Sequence, residues 1–533
     1  MSLQNGRYTA AKPLQVAAGW SLSRVTPQSR LYGANGLRTG ADGRIYVAQV
    51  AGSQISALDI GTGALETISA MGSDVVAPDD VAFDAKGNLY ITEYYDGRVS
   101  VRGVDGKTRV LRDDVPGANG ITVHKGRLFI DECRIGGRLL ELDLNGGEPR
   151  VLLENLMMPN AMEVGPDGKL YFPVLGTNEI CRIDPEGGAA ERVVGDLGGP
   201  TAVKFDSKGY IVSTQVGSGQ VLRIDPRTGD RSVLATLTPG IDNLTFVGER
   251  LFVSHFTGTI VEILSDGKTR TAVAGGLSWP LDVAVADDGN LYIADGHHMF
   301  VVPPGGTLQT VAMFMNPGFP GNVRGLAAAG EGALIVTTAN GQVSKYRPSA
   351  SESEVLADGL DQVYGVAIAP SGALAVAELG TGRVLSIKSG KVEVLASGLK
   401  SPVGVAFGAD GACYVSEMGA SRVVKLNGKS VETVLDGLQQ PQGLLVHAGQ
   451  LYVVDAGAKT LTSLDLKTKA RSIVASELPV GAPVGVTPKP LRGIAPFSGP
   501  QGPFAGITVG ADGTLYVSGD AEGSVLSLRK ARA

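Results

Sequence analysis

Residues 78–93 read PDDVAFDAKGNLYITE, and this stretch decides the fold. It contains a short apolar strand, a turn with Lys, Gly and Asn, and a second strand that ends in an acid. Related stretches recur along the 533-residue chain, for example at residues 158–174, 279–295, 401–417 and 504–519. A third strand such as GRVLSI, from Gly382, usually follows, and a fourth often ends in VLA. The pattern is therefore an internal repeat of short strands.

The repeats can be aligned on the residue two positions before the first apolar strand position. This gives twelve residues: Asn35, Asp79, Asn119, Asn160, Thr201, Asp242, Leu281, Arg324, Tyr364, Val403, Gln442 and Ala505. A spacing of roughly 40 residues with Asp-Gly turns is typical of β-propeller blades, whereas a parallel β-helix has shorter rungs and lacks hairpin turns. Since one ring usually has about four to eight blades, the sequence predicts an all-β fold of two tandem six-bladed β-propellers with four-stranded antiparallel blades.

The order of strands within the repeat predicts where the two propellers meet. LQVAAG, from Leu14, resembles an outermost fourth strand, and the chain ends after a third strand, SVLSLRK, from Ser524. If each ring closes with such a leading strand, the second one is TRTAVAGG, from Thr269. We therefore expect an N-terminal propeller over 1–267 and a C-terminal propeller over 268–533. The latter carries a Pro-rich insertion at 476–504, interpreted as a surface excursion, a lid or an inter-domain clamp.

Composition limits the classes of function. A net charge of −6 gives no basic footprint for nucleic acid or anionic lipid. No apolar run approaches the length of a membrane span, and residues 1–13 lack the apolar segment of a signal or anchor. The three cysteines are too few for a disulfide framework or a thiolate metal site. We expect a cytoplasmic protein with a small-molecule substrate and with no nucleic-acid, membrane or obligate protein partner.

The aligned residues of the two halves differ in chemistry. All six in the first half carry side-chain oxygen, whereas in the second half only Tyr364 and Gln442 are plausible donors. Hard divalent cations prefer carboxylate and amide oxygens. We therefore expect a bound calcium ion, or alternatively magnesium. The predicted metal ligands are Asp79, Asn119, Asn160 and Asp242. Asn35 and Thr201 are predicted to lie beside them and to contact the substrate. The alternative is that these polar residues only hydrate the channel or cap turns.

A second set of residues ends the second strand of each repeat. In the first half these are Gln49, Glu93, Glu132, Val174, Gln215 and His255. Acids are common here in both halves, so a hydrogen bond to the following loop explains most of them. His255 is the only histidine in the set and follows Asp242 in the same repeat, so Asp242, His255 and Glu132 are the candidate catalytic groups. Gln215 and Glu93 are predicted to contact substrate at the same mouth.

The repeat form PxGVAxxxDGxLYVxExxxxRV resembles NHL-type and SMP-30/gluconolactonase/strictosidine-synthase-like β-propellers over nearly the whole chain. The resemblance to the SMP-30 branch implies a calcium or related ion held by Glu, Asn, Asn and Asp. Asn119, Asn160 and Asp242 match the last three, whereas Asn35 stands where Glu is implied, unless Asp79 replaces that charge. The resemblance thus implies metal-dependent hydrolysis of a lactone or another ester, in which the metal polarises the carbonyl.

Two other functions remain open at this point. A metal-dependent lyase resembling streptogramin lyase would use a histidine and a glutamate near a metal, and His255 with Glu132 would supply them. A non-catalytic NHL-type binding propeller needs no convergent carboxylates.

Overall fold

The computed structural model of the chain describes residues 7–428, 430–495 and 498–531. Within these ranges the strands form twelve antiparallel sheets, eleven of four strands and one of five, so the predicted all-β fold with four-stranded sheets is confirmed. Three 3-10 helices are described, at Leu175–Thr177, Pro348–Ala350 and Met418–Ala420. None of the described helices has the length and apolar character needed to cross a membrane. Residues 1–6 of the predicted N-terminal domain and residues 496–497 of the insertion lie outside the described residues.

The chain divides into two compact units, and the described part of unit 1 comprises Arg30–Gly275 and Leu491–Ile494. Unit 1 contains six sheets, which we number 1 to 6 along the chain, each with its four strands hydrogen-bonded in chain order. Their strands are Leu37–Thr39, Ile45–Gln49, Gln54–Leu58 and Leu65–Ser69; Pro78–Phe83, Leu89–Glu93, Arg98–Arg102 and Thr108–Arg112; Ala118–His124, Arg127–Glu132, Ile135–Leu142 and Arg150–Met157; Glu163–Val164, Leu170–Val174, Glu179–Ile183 and Glu191–Val194; Pro200–Phe205, Ile211–Gln215, Gln220–Ile224 and Arg231–Thr236; and Ile241–Val247, Arg250–His255, Ile260–Ile263 and Thr269–Val273.

Unit 2 comprises the described parts of 6–29, 276–490 and 495–533 and contains sheets 7 to 12. The strands of sheets 7 to 10 are Asp282–Val285, Leu291–Asp295, His298–Val302 and Gln309–Met313; Val323–Ala328, Leu334–Thr338, Val343–Arg347 and Glu352–Ala357; Val363–Ile368, Leu374–Glu378, Arg383–Lys388 and Lys391–Ala396; and Pro402–Phe407, Cys413–Glu417, Arg422–Asn427 and Ser430–Leu435. Sheet 11 has Pro441–His447, Gln450–Asp455, Thr460–Asp465, Arg471–Ser476 and Gln15–Val16, and sheet 12 has Ile507–Val509, Leu515–Gly519, Ser524–Lys530 and Trp20–Arg24.

The predicted order of strands at the ends of unit 1 is wrong. Thr269–Val273 pairs with Ile260–Ile263 and completes sheet 6, so it does not open the second unit. The chain accordingly passes from one unit to the other between Gly275 and Gly276, whereas the sequence placed this boundary between residues 267 and 268. An outer strand has the same alternating pattern whichever neighbour it pairs with, and for this reason the pattern did not reveal the partner.

The N-terminal strands also differ from the prediction. The segment from Leu14 contributes Gln15–Val16 to the edge of sheet 11, where it pairs with Arg471–Ser476. Trp20–Arg24 pairs with Ser524–Lys530 and supplies the fourth strand of sheet 12. The N-terminal strands therefore belong to unit 2 and not to the first ring, where the sequence predicted them.

Neighbouring sheets within each unit pack through their apolar faces. In unit 1, Leu37 of sheet 1 and Phe252 of sheet 6 share one buried cluster. In unit 2, Val283 of sheet 7 and Val525 of sheet 12 do the same. The first strands of successive sheets also contact one another, and in each unit the first strand of the last sheet contacts that of the first.

The first strands carry a recurrent irregularity at their beginning. In sheets 2, 3 and 6 the pairing register shifts between Pro78 and Val81, between Ala118 and Ile121, and between Ile241 and Leu244. Such a bulge adds a residue to one strand and changes the alternation of side chains. A residue at the start of the strand and the residue three positions later can therefore face the same side of the sheet.

Candidate functional site

The six predicted oxygen donors of unit 1 lie at or just before the start of the first strands, and all are buried. Their exposed fractions run from 2% for Thr201 to 8% for Asp79 and Asp242. Hydrogen bonds tie neighbouring strands together here: the Gly36 N–H donates to the Asp79 carbonyl at 2.7 Å, and the Ala161 N–H donates to the Thr201 carbonyl at 3.1 Å. Thr201 Oγ1 donates to the Asp242 carbonyl at 2.6 Å. The first strands thus hold these residues close to one another.

Two carboxyl groups of this set, Asp79 and Asp242, influence each other. Burial and then the charge of Asp242 raise the pKa of Asp79 well above its ordinary value. Burial and then the charge of Asp80 raise the pKa of Asp242 to about 7, while a hydrogen bond from the Asn35 side chain acts in the opposite direction. Two buried acids that repel each other in this way favour either a shared proton or a bound cation.

The three asparagines of the set differ in their hydrogen bonds. Asn119 is 6% exposed, and its Oδ1 is buried with no hydrogen-bond partner among the described residues. Asn160 Oδ1 accepts from the Ala161 N–H at 2.7 Å, and Asn35 Oδ1 accepts from the Val50 N–H at 3.4 Å. A buried amide oxygen without a partner is costly. Asn119 Oδ1 is therefore the oxygen of this set that most needs an additional ligand.

Cys133 and Tyr94 lie beside these acids, and the sequence did not reveal either. Asn160 Nδ2 donates to Cys133 Sγ at 3.5 Å, and Tyr94 Oη donates to the Cys133 carbonyl at 3.3 Å. Burial, followed by the charges of Asp131, Asp79 and Asp242, raises the pKa of the Cys133 thiol well above its ordinary value. Each residue directly follows the end of a second strand, and this position was the only available signal.

Most residues that end the second strands form a repeated hydrogen bond, which we call the strand-end clasp. The side-chain oxygen accepts a backbone N–H from the segment that leads into the first strand of the same sheet. Examples are Gln49 with the Tyr32 N–H at 2.9 Å, Gln215 with Gly198 at 3.0 Å, Glu93 with Val76 at 2.6 Å, Glu378 with Asp361 at 2.9 Å, and Glu417 with Lys400 at 2.8 Å. These contacts support a structural role for Glu93 and Gln215, with the bond made to the preceding segment and not to the following loop.

His255 stands at the strand-end position of sheet 6, and both of its ring nitrogens have partners. Nε2 lies 2.8 Å from the Pro239 carbonyl, and Nδ1 accepts from the Thr257 N–H at 3.1 Å. The ring is 8% exposed, and burial lowers the pKa of His255. Because Nδ1 accepts, Nε2 carries the proton and donates it to Pro239. His255 therefore makes a strand-end clasp with donor and acceptor exchanged.

Glu132 is likewise engaged by its neighbours. Its carboxylate accepts from Arg134 Nη2 at 3.0 Å and from Arg138 Nε at 2.9 Å, and the residue is 0% exposed. The preceding residue, Asp131, accepts the Gly120 N–H at 3.0 Å, and burial raises its pKa to about 8. Glu132 is thus paired with Arg134 of the following turn and with Arg138 of the next strand, and its catalytic role stays a prediction.

Three of the six corresponding residues of unit 2 belong to one apolar cluster. Leu281, Tyr364 and Val403 pack together with Phe504 of the predicted insertion. Arg324 is 1% exposed, and its guanidinium lies 4.5 Å from the centre of the Tyr364 ring. It donates to the carbonyl of Pro500, also in the insertion. The side chains of this unit fill the position that oxygen donors occupy in unit 1.

The donor set of unit 1 fits a hard divalent cation. No group of three or more His, Cys, Asp or Glu in the described part of the chain is arranged to hold a metal. A cation here would therefore depend on the two carboxylates Asp79 and Asp242 together with amide oxygens. Calcium and magnesium accept such a mixture, and the unpartnered Asn119 Oδ1 is available for it.

The comparison with protein families agrees with the resemblance described above. Residues 15–256 match the family model described as "SMP-30/Gluconolactonase/LRE-like region". Over these residues the chain therefore matches this family, and the family resemblance recognised from the repeats is confirmed there.

The chain matches no protein in the curated set. Among solved structures it is similar to a streptogramin B lyase, at 18% identity and a TM-score of 0.39 over 52% of this chain and 96% of that chain. It is also similar to a virginiamycin B lyase from Staphylococcus aureus, at 16% identity and a TM-score of 0.38 over 52% of this chain and 95% of that chain. A third similar structure is a nidogen/laminin complex, at 22% identity and a TM-score of 0.34 over 37% of this chain and 78% of that chain. At these levels, none of the three bears on the function of this chain.

Proposed function

We propose that unit 1 is a metal-dependent hydrolase of a lactone or another ester and that its ion is calcium. The observation that carries this proposal is the buried set of Asp79, Asp242 and Asn119, with two mutually repelling carboxyls and one unpartnered amide oxygen. The match of residues 15–256 to the SMP-30/gluconolactonase/LRE-like family supports it. Magnesium is the alternative ion.

The proposal includes the arrangement of the sheets. We take the six sheets of each unit as the blades of a six-bladed β-propeller, with the first strands around a central channel. Contacts between the first strands of successive sheets, and between those of the last and first sheets, support this arrangement. The donors at the start of the first strands would then surround one mouth of the channel of unit 1.

In this hydrolase Asp79, Asn119, Asn160 and Asp242 would hold the cation, which would supply polarisation of the ester carbonyl. Asp242 takes a proton from the attacking water. The water oxygen bonds to the carbonyl carbon, and the bond from that carbon to the alcohol oxygen breaks. The proton held at Asp242 then passes to the alcohol. Asn35, which donates to Asp242, orients that carboxylate.

The contacts of His255 and Glu132 favour hydrolysis over the lyase. The lyase needs these two residues as an acid and base pair, but the ring nitrogens of His255 contact Pro239 and Thr257. Glu132 is held by Arg134 and Arg138. We therefore propose a structural role for both and place the proton transfer on Asp242.

The substrate in this proposal is a small molecule, and the compartment is the cytoplasm. All three cysteines, Cys133, Cys181 and Cys413, are free thiols, which supports a reducing environment. The predicted absence of nucleic-acid, membrane and obligate protein partners stays a prediction.

A chelation experiment tests the proposal. The protein is treated with a chelator and assayed against a panel of γ- and δ-lactones and aryl esters, before and after calcium is restored. We expect activity to disappear and return. Hydrolysis in water labelled with oxygen-18 should place one labelled oxygen in the acid, whereas elimination would give an alkene and no label. Turnover that is unchanged by chelation would contradict the proposal.

A further inference from the structure

A second layer of residues lies three positions after the donors in the first strands. In unit 1 these residues are Arg38, Ala82, Thr122, Glu163, Lys204 and Thr245, and in unit 2 they are Ala284, Ala327, Ala367, Ala406, Leu445 and Thr508. Three of the six in unit 1 are charged, whereas all six in unit 2 are uncharged. We call Arg38, Glu163 and Lys204 the charged layer.

Arg38 connects sheet 1 with three other sheets of unit 1. Its Nε donates to the Val81 carbonyl of sheet 2 at 2.9 Å, and its Nη2 donates to the Ile121 carbonyl of sheet 3 at 3.0 Å. Its Nη1 forms an ion pair with Glu163 Oε2 of sheet 4 at 2.7 Å. One guanidinium therefore fixes the distances between four first strands.

Lys204 and Thr122 complete the network around Glu163. Lys204 Nζ of sheet 5 lies 3.0 Å from Glu163 Oε2, and Thr122 Oγ1 of sheet 3 donates to Glu163 Oε1 at 3.2 Å. The side chains are poorly accessible, with exposed fractions of 15% for Arg38, 22% for Glu163 and 7% for Lys204. Because these charges are poorly accessible, the loss of one partner would leave an uncompensated charge. The network therefore constrains the positions of all its side chains.

Each contact of Arg38 lies close in the chain to a proposed cation ligand. Val81 is two residues after Asp79, Ile121 is two after Asn119, and Glu163 is three after Asn160. Strands are stiff over two or three residues. A change in the distances between the first strands at the charged layer therefore also moves the oxygen donors at the start of those strands. The planar fork of arginine can make all three contacts together, whereas the single ammonium of lysine cannot.

We infer that Arg38 is a positioning residue that sets the spacing of the oxygen donors and hence the affinity and size preference of unit 1 for a divalent cation. This inference rests on the proposed cation site. It assigns Arg38 no contact with substrate or ion. Its effect on the site passes through the strands that begin with Asp79, Asn119 and Asn160.

The substitution Arg38→Lys tests this inference because it keeps the charge and removes the fork. We expect calcium affinity, measured by calorimetry without substrate, to fall at least tenfold, and the preference for calcium over magnesium to narrow. Crystal structures of both forms should show altered distances between the first strands of sheets 1, 2, 3 and 4. Arg223→Lys is the matched control, because Arg223 pairs with Asp206 at 2.7 Å and lies 3.9 Å over the Tyr210 ring. It should bind calcium as the wild type does.

Further variants separate positioning from charge. Arg38→Met removes the positive charge, so a purely electrostatic role would raise calcium affinity, whereas positioning predicts a loss as in Arg38→Lys. If Arg38→Lys does not fold, Thr122→Val removes only the hydroxyl contact with Glu163 and should lower affinity two- to threefold. Unchanged strand distances and unchanged affinity in the folded variants would overturn the inference. A wild type that binds no calcium would overturn the proposed function, and the strand distances would then still decide whether Arg38 positions the strands.

Discussion

The beginnings of the first strands in units 1 and 2 have the same backbone plan and opposite chemistry. In unit 1 these positions bring together Asp79, Asp242 and Asn119, and in unit 2 they bring together Leu281, Tyr364 and Val403 in an apolar cluster. The strand-end clasp occurs in both units. The difference indicates that the clasp belongs to the fold of each sheet, whereas the residues at the start of the first strands are free to vary.

The comparison also shows two environments for a buried arginine on the first strands. Arg324 of unit 2 is satisfied by an aromatic ring and by the carbonyl of an inserted segment. Arg38 of unit 1 is satisfied by two strand carbonyls and by Glu163. In the first arrangement the arginine contacts the inserted segment, whereas in the second its contacts are with residues of the first strands.

The largest expected effect is on activity. Asp242→Asn removes the carboxylate that accepts the proton, so kcat/KM should fall about 1000-fold, or about 4 kcal/mol of transition-state stabilisation. Steady-state assays of the lactone substrate measure this. Glu148→Gln is the matched control, because Glu148 is 93% exposed and loses the same charge. A fully active Asp242→Asn enzyme would remove Asp242 from the mechanism.

Unit 2 offers the reverse test. Arg324→Met breaks buried contacts with Tyr364 and the Pro500 carbonyl, so unit 2 should lose about 3 kcal/mol of stability while kcat/KM of the folded protein stays unchanged. Both tryptophans of the chain, Trp20 and Trp279, belong to unit 2. Tryptophan fluorescence during urea unfolding therefore reports on this unit alone. Loss of activity in the folded variant would place part of the chemistry in unit 2.

Calcium should stabilise unit 1 selectively. At a concentration of about 100 times Kd, binding to the folded state contributes about 2.7 kcal/mol. In differential scanning calorimetry the unfolding temperature of unit 1 should rise when calcium is added. The unfolding transition of unit 2, followed by its tryptophans, should not move. In Asp79→Asn the calorimetric shift should shrink. If the tryptophan signal shifts equally in the wild type and in Asp79→Asn, the ion binds elsewhere.

The smallest expected effect concerns acid stability. Burial acts to raise the pKa of Glu163, but the charges of Lys204 and Arg38 outweigh it and lower the pKa to about 2, from an ordinary value of 4.5. This contribution is therefore complete above pH 4.5 and is lost as the pH falls through 2; its size is on the order of 2 kcal/mol. Glu163→Gln should be less stable than the wild type at pH 6, and the difference should shrink towards pH 2. Urea unfolding at several pH values measures this, and a constant difference would contradict it.

Much of the fold could be predicted because most strands pair with the neighbouring strand along the chain. The alternation of apolar residues and the Asp-Gly turns define each hairpin, and Gly43, Gly168 and Gly513 all adopt the positive φ that such turns need. The pairing of Trp20–Arg24 with Ser524–Lys530 was missed because it depends on two distant segments with ordinary strand patterns.

The candidate site was predicted in part for the same reason. The six donors share one column of the repeat alignment, so their similarity was visible. The charged layer was missed because only the column of the donors was compared, and because alternation alone does not tell which residues share a face where the pairing register shifts, as it does between Pro200 and Ala202 ahead of Lys204. The column of the repeat alignment three positions after the donors contains Arg38, Glu163 and Lys204, and its charges would have indicated this layer. The partners of His255 could not be predicted, since a histidine with two bonded nitrogens has the same sequence as a catalytic one.

The pairing of Trp20–Arg24 with Ser524–Lys530 has a consequence for biosynthesis. The strands of sheets 1 to 6 are contiguous, so unit 1 has all of its sheet strands as soon as residue 273 leaves the ribosome. Trp20–Arg24 is translated before all the strands of unit 1, but it has no partner strand until Ser524–Lys530 has been made. Its exposed edge during that interval is a natural point of contact for a chaperone.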